Sequence, residues 1–398
     1  MPVTAQRIHA IDVFRAITML FMIFVNDLWT LKDIPGWLGH TAADEDGMGL
    51  ADVVFPCFLF IAGMSIPHAI AGRLVKGESR WRIFLHIIFR TIGLLVMGVF
   101  IVNLDNLNEA ASGVSRSWYQ ILMFAGFILI WNVYPRDYNI KRYLYAALRL
   151  VGIGLLVFLF LRYRGDSEAG LISMRPQWWG ILGLIGWAYF GNAVICLFFH
   201  RNTIVLIGAW IFFLFYNIIC SAGWFIPGFA PVSNGLLIGY GAFHAFVAAG
   251  VVASQMLEQT AMNKRFSRVA LQFVSIGVLL IGIGIFLRGF FIISKIKATP
   301  PWIFICSGIG FLLFVLIYFL TDIKQKSSWF SFIKAAGTAT LTCYLLPYLF
   351  YAVDGLTGIS LPEFVKTSWI GLLKSILFSW LIIYITSGLI RIGIRVRL

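Results

Sequence analysis

Charge is what this chain has least of. Of its 398 residues only 12% are charged, while 60% are hydrophobic. A soluble fold needs far more polar surface, so the composition excludes an ordinary globular domain and leaves a polytopic membrane protein. Short alternating strands are also missing, which excludes a transmembrane barrel. There is no Walker loop, GxSxG elbow, HExxH or Cys/His cluster, so nothing points to ATP hydrolysis or a bound metal. The five cysteines (Cys57, Cys196, Cys220, Cys306 and Cys343) are widely spaced and mostly inside apolar runs. They form no metal spacing or disulfide framework and read as packing residues. No internal repeat is visible, which weakens a carrier built from inverted halves. The first apolar run lacks a small-residue cleavage site and is expected to be a retained span, not a removable leader.

What the chain does have is apolar runs of about 17–23 residues, each long enough to cross roughly 30 Å of hydrocarbon as a helix. An all-α bundle of about twelve spans (ten to twelve) is expected, within a single domain covering 1–398. The spans are 13–31, 50–72, 84–103, 118–133, 143–161, 179–199, 203–219, 236–256, 268–290, 301–320, 335–353 and 369–390. The net charge of +14 would suggest nucleic acid in a soluble protein. Here its placement argues otherwise, and no nucleic-acid partner is expected. One set of loops carries Arg73, Lys76, Arg80, Arg82, Arg136, Lys141, Arg142, Arg201, Lys264, Arg265, Arg268, Lys324, Lys326 and Lys334, with Arg7, Arg391, Arg395 and Arg397 near the termini. The opposite loops hold only Lys32, Arg116, Arg162, Arg164, Arg175, Lys295, Lys297 and Lys366. The positive-inside rule then puts both termini in the cytoplasm and the loop around His40 outside. Tryptophans such as Trp37, Trp118, Trp224, Trp302 and Trp369 near the outer ends, and Trp81 and Trp329 near the inner ends, suit aromatic belts.

Ionisable groups within spans are costly and so are candidates for function. Asp12 and Arg15 share a face of the first span and are close enough to pair. Asn26 lies eleven residues beyond Arg15, about 16 Å along a helix axis, near the outer boundary to which His40 returns. A neutral His40 could accept a proton near pH 7, with Asp44, Glu45, Asp46 and Asp52 as available orienters. The blander readings are a structural Asp12–Arg15 clasp, an Asn26 helix–helix bond and a solvated loop histidine. At the other boundary His68, Arg80, Arg82, His86 and Arg90 would suit a phosphate-bearing ligand, although loop cations also simply set topology. Arg90 resists that second explanation, being inside a span. Arg149 and Arg288 are weaker cases of the same kind. Gly235 and Gly239 form a GxxxG, and His244 reads as a packed histidine.

The stretches "RIHAIDVFRAITMLFMIFVND" and "GLADVVFPCFLFIAGMSI", with His40 between them, resemble the N-terminal signature of the heparan-α-glucosaminide N-acetyltransferase family of transmembrane acyltransferases. The signature spans residues 7–72. The resemblance implies a membrane acetyltransferase that uses acetyl-CoA from the cytosol and an amino-sugar acceptor of the glucosamine type on the outer side. By motif, His40 matches the catalytic histidine and Asn26 the asparagine that assists it. Asp12, Arg15 and Asp52 match recurrent supporting positions. Arg80, Arg82, His86 and Arg90 become the candidate CoA-binding set, and no metal is implied. Against the family pattern, this chain is expected to do without a large lumenal N-terminal domain, and it differs in its longer and more acidic His40 loop and in Gln120-Ile121 where a Gln-Arg pair is common. The expected location is the cytoplasmic (inner) membrane, with homo-oligomerisation left open. The competing expectation is an amino-sugar or related solute transporter binding substrate through Asn26, Asp27, His40 and Asp52.

Overall fold

The computed structural model describes residues 8–135, 141–168, 170–200, 202–224, 239–261, 266–358 and 361–398. Arg7, Arg136, Arg201, Gly235, Lys264 and Arg265 lie outside the described residues. Among the described residues the only β-structure is isolated bridges, and twelve helices have sixteen residues or more. They are α1 (His9–Asp27), α2 (Leu50–Val75), α3 (Arg80–Asn103), α4 (Arg116–Trp131), α5 (Lys141–Arg162), α6 (Ile181–Phe199), α7 (Thr203–Ser221), α8 (Ala242–Ala261), α9 (Phe266–Leu287), α10 (Pro300–Tyr318), α11 (Thr340–Thr357) and α12 (Ser368–Arg391). Each corresponds to one of the apolar runs. Eight of them (α2, α3, α5, α6, α7, α9, α10 and α12) are individually long and apolar enough to cross a membrane. A bent pair, Ser327–Thr338 followed by α11 at 74°, makes a ninth if counted as one span.

Helix starts follow from local chemistry. The hydroxyls of Ser79 and Ser115 accept the first free amides of α3 and α4, and the Asn202 side chain does the same for α7. Pro300 and Pro301 open α10, where a missing amide costs nothing. The helices run up and down between two ends. At the end where α1 begins, the Asp322 carboxylate accepts the amides of His9 and Ala10 at 2.9 and 2.8 Å. At the other end Lys32 exchanges backbone bonds with Lys366 and Ser368.

The centre of the bundle is α2 flanked by α1, α8 and α10. Gly63 and Gly250 allow the closest approach: a Cβ on either would overlap a carbonyl of the facing helix, Val247 or Phe60. The GxxxG reading is not supported in this way. Gly239 sits in a turn before α8, with positive φ and open space around it. At the periphery most tryptophans expected at the boundaries, among them Trp37, Trp81, Trp118, Trp224, Trp329 and Trp369, are exposed. Trp302 is the exception and is fully buried.

Candidate active site

Pro56 shapes the site before any charged group does. A proline inside a helix cannot donate to the carbonyl four residues earlier, and here that carbonyl belongs to Asp52. The Trp302 indole of α10 fills the gap, donating to the Asp52 carbonyl at 2.9 Å. This accounts for Trp302 being a core residue and not part of an interfacial belt. The Asp52 side chain, 1% exposed, accepts the amides of Gly49 (2.9 Å) and Thr41 (3.1 Å) on one oxygen. Its other oxygen lies 2.6 Å from Nδ1 of His40. Gly49 has to be glycine, because a Cβ there would collide with the Gly39 carbonyl where the two ends of the loop cross. That crossing places His40 against α2. Its imidazole remains about half exposed, at 48%.

The expected orienters Asp44, Glu45 and Asp46 do not hold His40. Asp46 accepts the Ile293 amide and the Arg288 guanidinium, each at 2.8 Å, and these bonds lower its pKa below the usual 3.8. Asp44 is lowered likewise by its bond to Lys297. Glu45 is exposed and makes no ion pair among the described residues. These contacts, with Ser294 Oγ donating to the Ala43 carbonyl, fasten the segment 288–299 over the His40 loop. Arg288 therefore lies just past the end of α9 and outside the span. The same segment delivers Lys295, whose ammonium is 3.2 and 3.4 Å from the two ring nitrogens of His40 and 3.9 Å from Asp52.

Asn26, one helical face away, is half-buried and its side chain makes no hydrogen bond to the described residues. No hydrogen bond joins it to His40 among the described residues. Asp27 beside it is fully buried. It accepts from Tyr351 Oη (2.7 Å), Lys374 Nζ (2.7 Å) and Ser375 Oγ (2.5 Å), which ties the end of α1 to α11 and α12.

From the His9 end, a cavity of about 420 Å³ runs between α1, α2, α3, α6 and the start of α11. That volume is in the range of small-molecule sites. Four guanidiniums line it: Arg15, Arg90, Arg395 and Arg397. Arg15 is 3.4 Å from Asp12, bonds Ser65, and donates to the Gly337 carbonyl at 3.2 Å. Arg395 donates to the carbonyl of Thr338. Both carbonyls are freed by the bend before α11, so an irregular backbone is tolerated because it faces a cavity. Arg90 stacks over the Tyr189 ring at 4.6 Å. Of the other expected cofactor contacts, His86, Arg80 and Arg82 do not line this cavity. Arg73 is paired with Glu78, and His68 with Glu258. The deep wall reaches Met22 and Phe58. Met22 is one turn, about 6 Å, from Asn26, and Phe58 is about 9 Å along α2 from Asp52.

Lys295, Lys374, Trp302, Arg395 and Arg397 were not singled out from the sequence as site residues. For Arg395 the signal is tertiary: the C-terminal segment is stitched to Asn132, Trp131 and Thr342 by backbone amides, which carries both arginines to the cavity.

Comparison with known proteins agrees with the signature. The family described as the domain of unknown function DUF5009 matches residues 7–222. Heparan-alpha-glucosaminide N-acetyltransferase of Homo sapiens is 35% identical over 101 residues, covering 24% of this chain and 14% of the human protein. The Mus musculus protein of the same name is 34% identical over 104 residues, 25% of this chain and 14% of that one. The matched stretch is thus about a seventh of each relative's length.

Proposed function

The chain belongs to the DUF5009 family, and on that premise we propose that it is a multi-pass membrane acetyltransferase that moves an acetyl group from acetyl-CoA to an amine acceptor. The supporting observation is the arrangement along α1 and α2. A base held by a buried carboxylate stands at one end, and a cavity ringed by four guanidiniums opens toward the other. His40, Asp52 and Arg15 lie on the signature segment, residues 7–72, while Arg90, Arg395 and Arg397 are brought to the cavity from outside it.

In this reading Arg15, Arg90, Arg395 and Arg397 take the phosphates of CoA, for which forked guanidiniums are well suited. The first amides of α11, which no side chain caps, add a positive helix end at the same wall. The pantetheine arm follows the apolar lining past Met19 and Phe58, placing the thioester near Asn26. His40 donates Nδ1–H to Asp52, which leaves Nε2 as the basic nitrogen. It removes a proton from the acceptor amine as the amine attacks the thioester carbon. The amide of Asn26, which makes no hydrogen bond among the described residues, donates to the developing oxyanion. Collapse of the tetrahedral intermediate breaks the carbon–sulfur bond, and the departing thiolate takes the proton from His40. The acceptor is an amino sugar of the glucosamine type, named from the relatives' activity. In this reading CoA enters from the cytoplasm and the His40 loop lies outside a cytoplasmic membrane, which the distribution of basic loops supports.

Calorimetric titration of acetyl-CoA and CoA into the detergent-purified protein tests the donor site. Saturable micromolar binding, weakened about tenfold or more in Arg395→Ala and Arg90→Ala, is expected. Thiol release on adding glucosamine then tests transfer. Absence of CoA binding by a folded protein overturns the reading in favour of a solute carrier.

A further inference from the structure

The pairing at the His40 end leaves one cation with a distinct position. Arg288 is matched to Asp46 and Lys297 to Asp44, both at the exposed rim. Lys295 turns inward, only 24% exposed, and its ammonium rests between the two ring nitrogens of His40. It cannot lie in line with both nitrogens. Since Nδ1 is already engaged by Asp52, the contact is chiefly one of charge against the ring. The groups facing His40 are therefore Asp52 from α2 and Lys295 from the 288–299 segment. Asp44 and Asp46 are turned to their own partners.

We propose that Lys295 is a positioning residue that holds His40 in its neutral, proton-accepting form against the pull of Asp52. The inference rests on the reading of His40 as the base. A carboxylate 2.6 Å away favours the charged form of an imidazole. An ammonium at 3.2–3.4 Å opposes that second positive charge. Asp52 can then orient the ring and select its tautomer without filling Nε2 with a proton. Burial also lowers the pKa of Lys295 itself, opposed by Asp52, as expected of a cation held close to a reacting group and not displayed to solvent.

The test compares Lys295→Met, which keeps the length and removes the charge, with Lys295→Arg, which keeps the charge. The first readout is an NMR titration of ¹³C-labelled histidine in micelles, with the His40 signal assigned by its loss in His40→Ala. Lys295→Met should raise the His40 midpoint by about one unit or more, while Lys295→Arg stays near wild type. Added apolar surface alone would move it the other way. The acid limb of kcat/KM for acetyl transfer should shift upward in parallel. A midpoint that is unmoved or falls in Lys295→Met overturns the inference, as does an equal rise in Lys295→Arg. A wild-type protein that transfers no acetyl group to any amine defeats the acetyltransferase reading instead, and the NMR midpoint still decides the role of Lys295.

Discussion

The Asp27 cluster offers a sharp energetic prediction. The carboxylate is fully buried and receives two hydroxyls and one ammonium, Lys374, which is itself only 18% exposed. Lys374→Met keeps the aliphatic stem but strands a buried charge, and breaking such a pair from one side costs about 3–5 kcal/mol. Because the Tyr351 and Ser375 hydroxyls remain as donors, the loss should fall at the lower end, about 3 kcal/mol. Asp27→Asn in the same background removes the charge. Its amide oxygen can still accept from Tyr351, and its nitrogen can donate to the Ser375 oxygen. The double variant should therefore regain most of the loss and lie within about 1 kcal/mol of wild type, as replacing both members of a buried pair often does. Unfolding free energies from SDS titration in mixed micelles give all four corners of the cycle. If Lys374→Met costs less than about 1 kcal/mol, or the double variant is no better than the single one, the pair does not hold α1 to α12 and the argument fails.

His40→Ala should lower acetyl transfer by about 10²–10⁴-fold and Asn26→Ala by about 10²–10³-fold, with acetyl-CoA binding retained in calorimetry. Full turnover in both would remove them from the mechanism. Trp302→Phe leaves the Asp52 carbonyl with only the weak Cys306 thiol at 3.9 Å and should destabilise the protein by about 1–3 kcal/mol, read by the same SDS titration. The pH dependence of the 288–299 clamp follows from Asp46, whose folded pKa is below its unfolded 3.8. Its contribution is complete above pH 3.8 and is lost as the pH falls through the lower folded value. The Ile293 amide should therefore keep its hydrogen-exchange protection down to about pH 4 and lose it only in stronger acid.

The helices were legible because long apolar runs leave few alternatives, and each of the twelve runs contains a long helix among the described residues. Boundaries were less so: α8 begins at Ala242, not near 236, and α9 stops at Leu287, short of Arg288. Within the site, the Asp12–Arg15 pair follows from helical spacing, and Asp52 was among the acids named for His40. Which acid held the histidine could not be read, since four lay within twelve residues and the choice depends on a segment some 250 positions away. The same holds for Lys295 and Arg395, which look in sequence like ordinary loop and tail charges. Arg80, Arg82 and His86 show the converse. Proximity along the chain suggested a common ligand, but of the expected contacts only Arg90, further along α3, lines the cavity, and its partners there come from α1 and the C-terminal segment.

Pro56 breaks one backbone bond inside α2, and Trp302 of α10 takes the free end. A defect in one helix has thereby become a pin between two. The pin sits on the residue whose side chain orients His40, and Lys295 lies only five positions before α10 begins. In an otherwise apolar interface, this directional bond ties the register of α10 against α2 to the carbonyl of Asp52. With Pro56→Ala the restored amide at position 56 would donate to the Asp52 carbonyl and free the indole. The spacing between histidine and lysine would then lose its ruler, although no residue that touches either had changed.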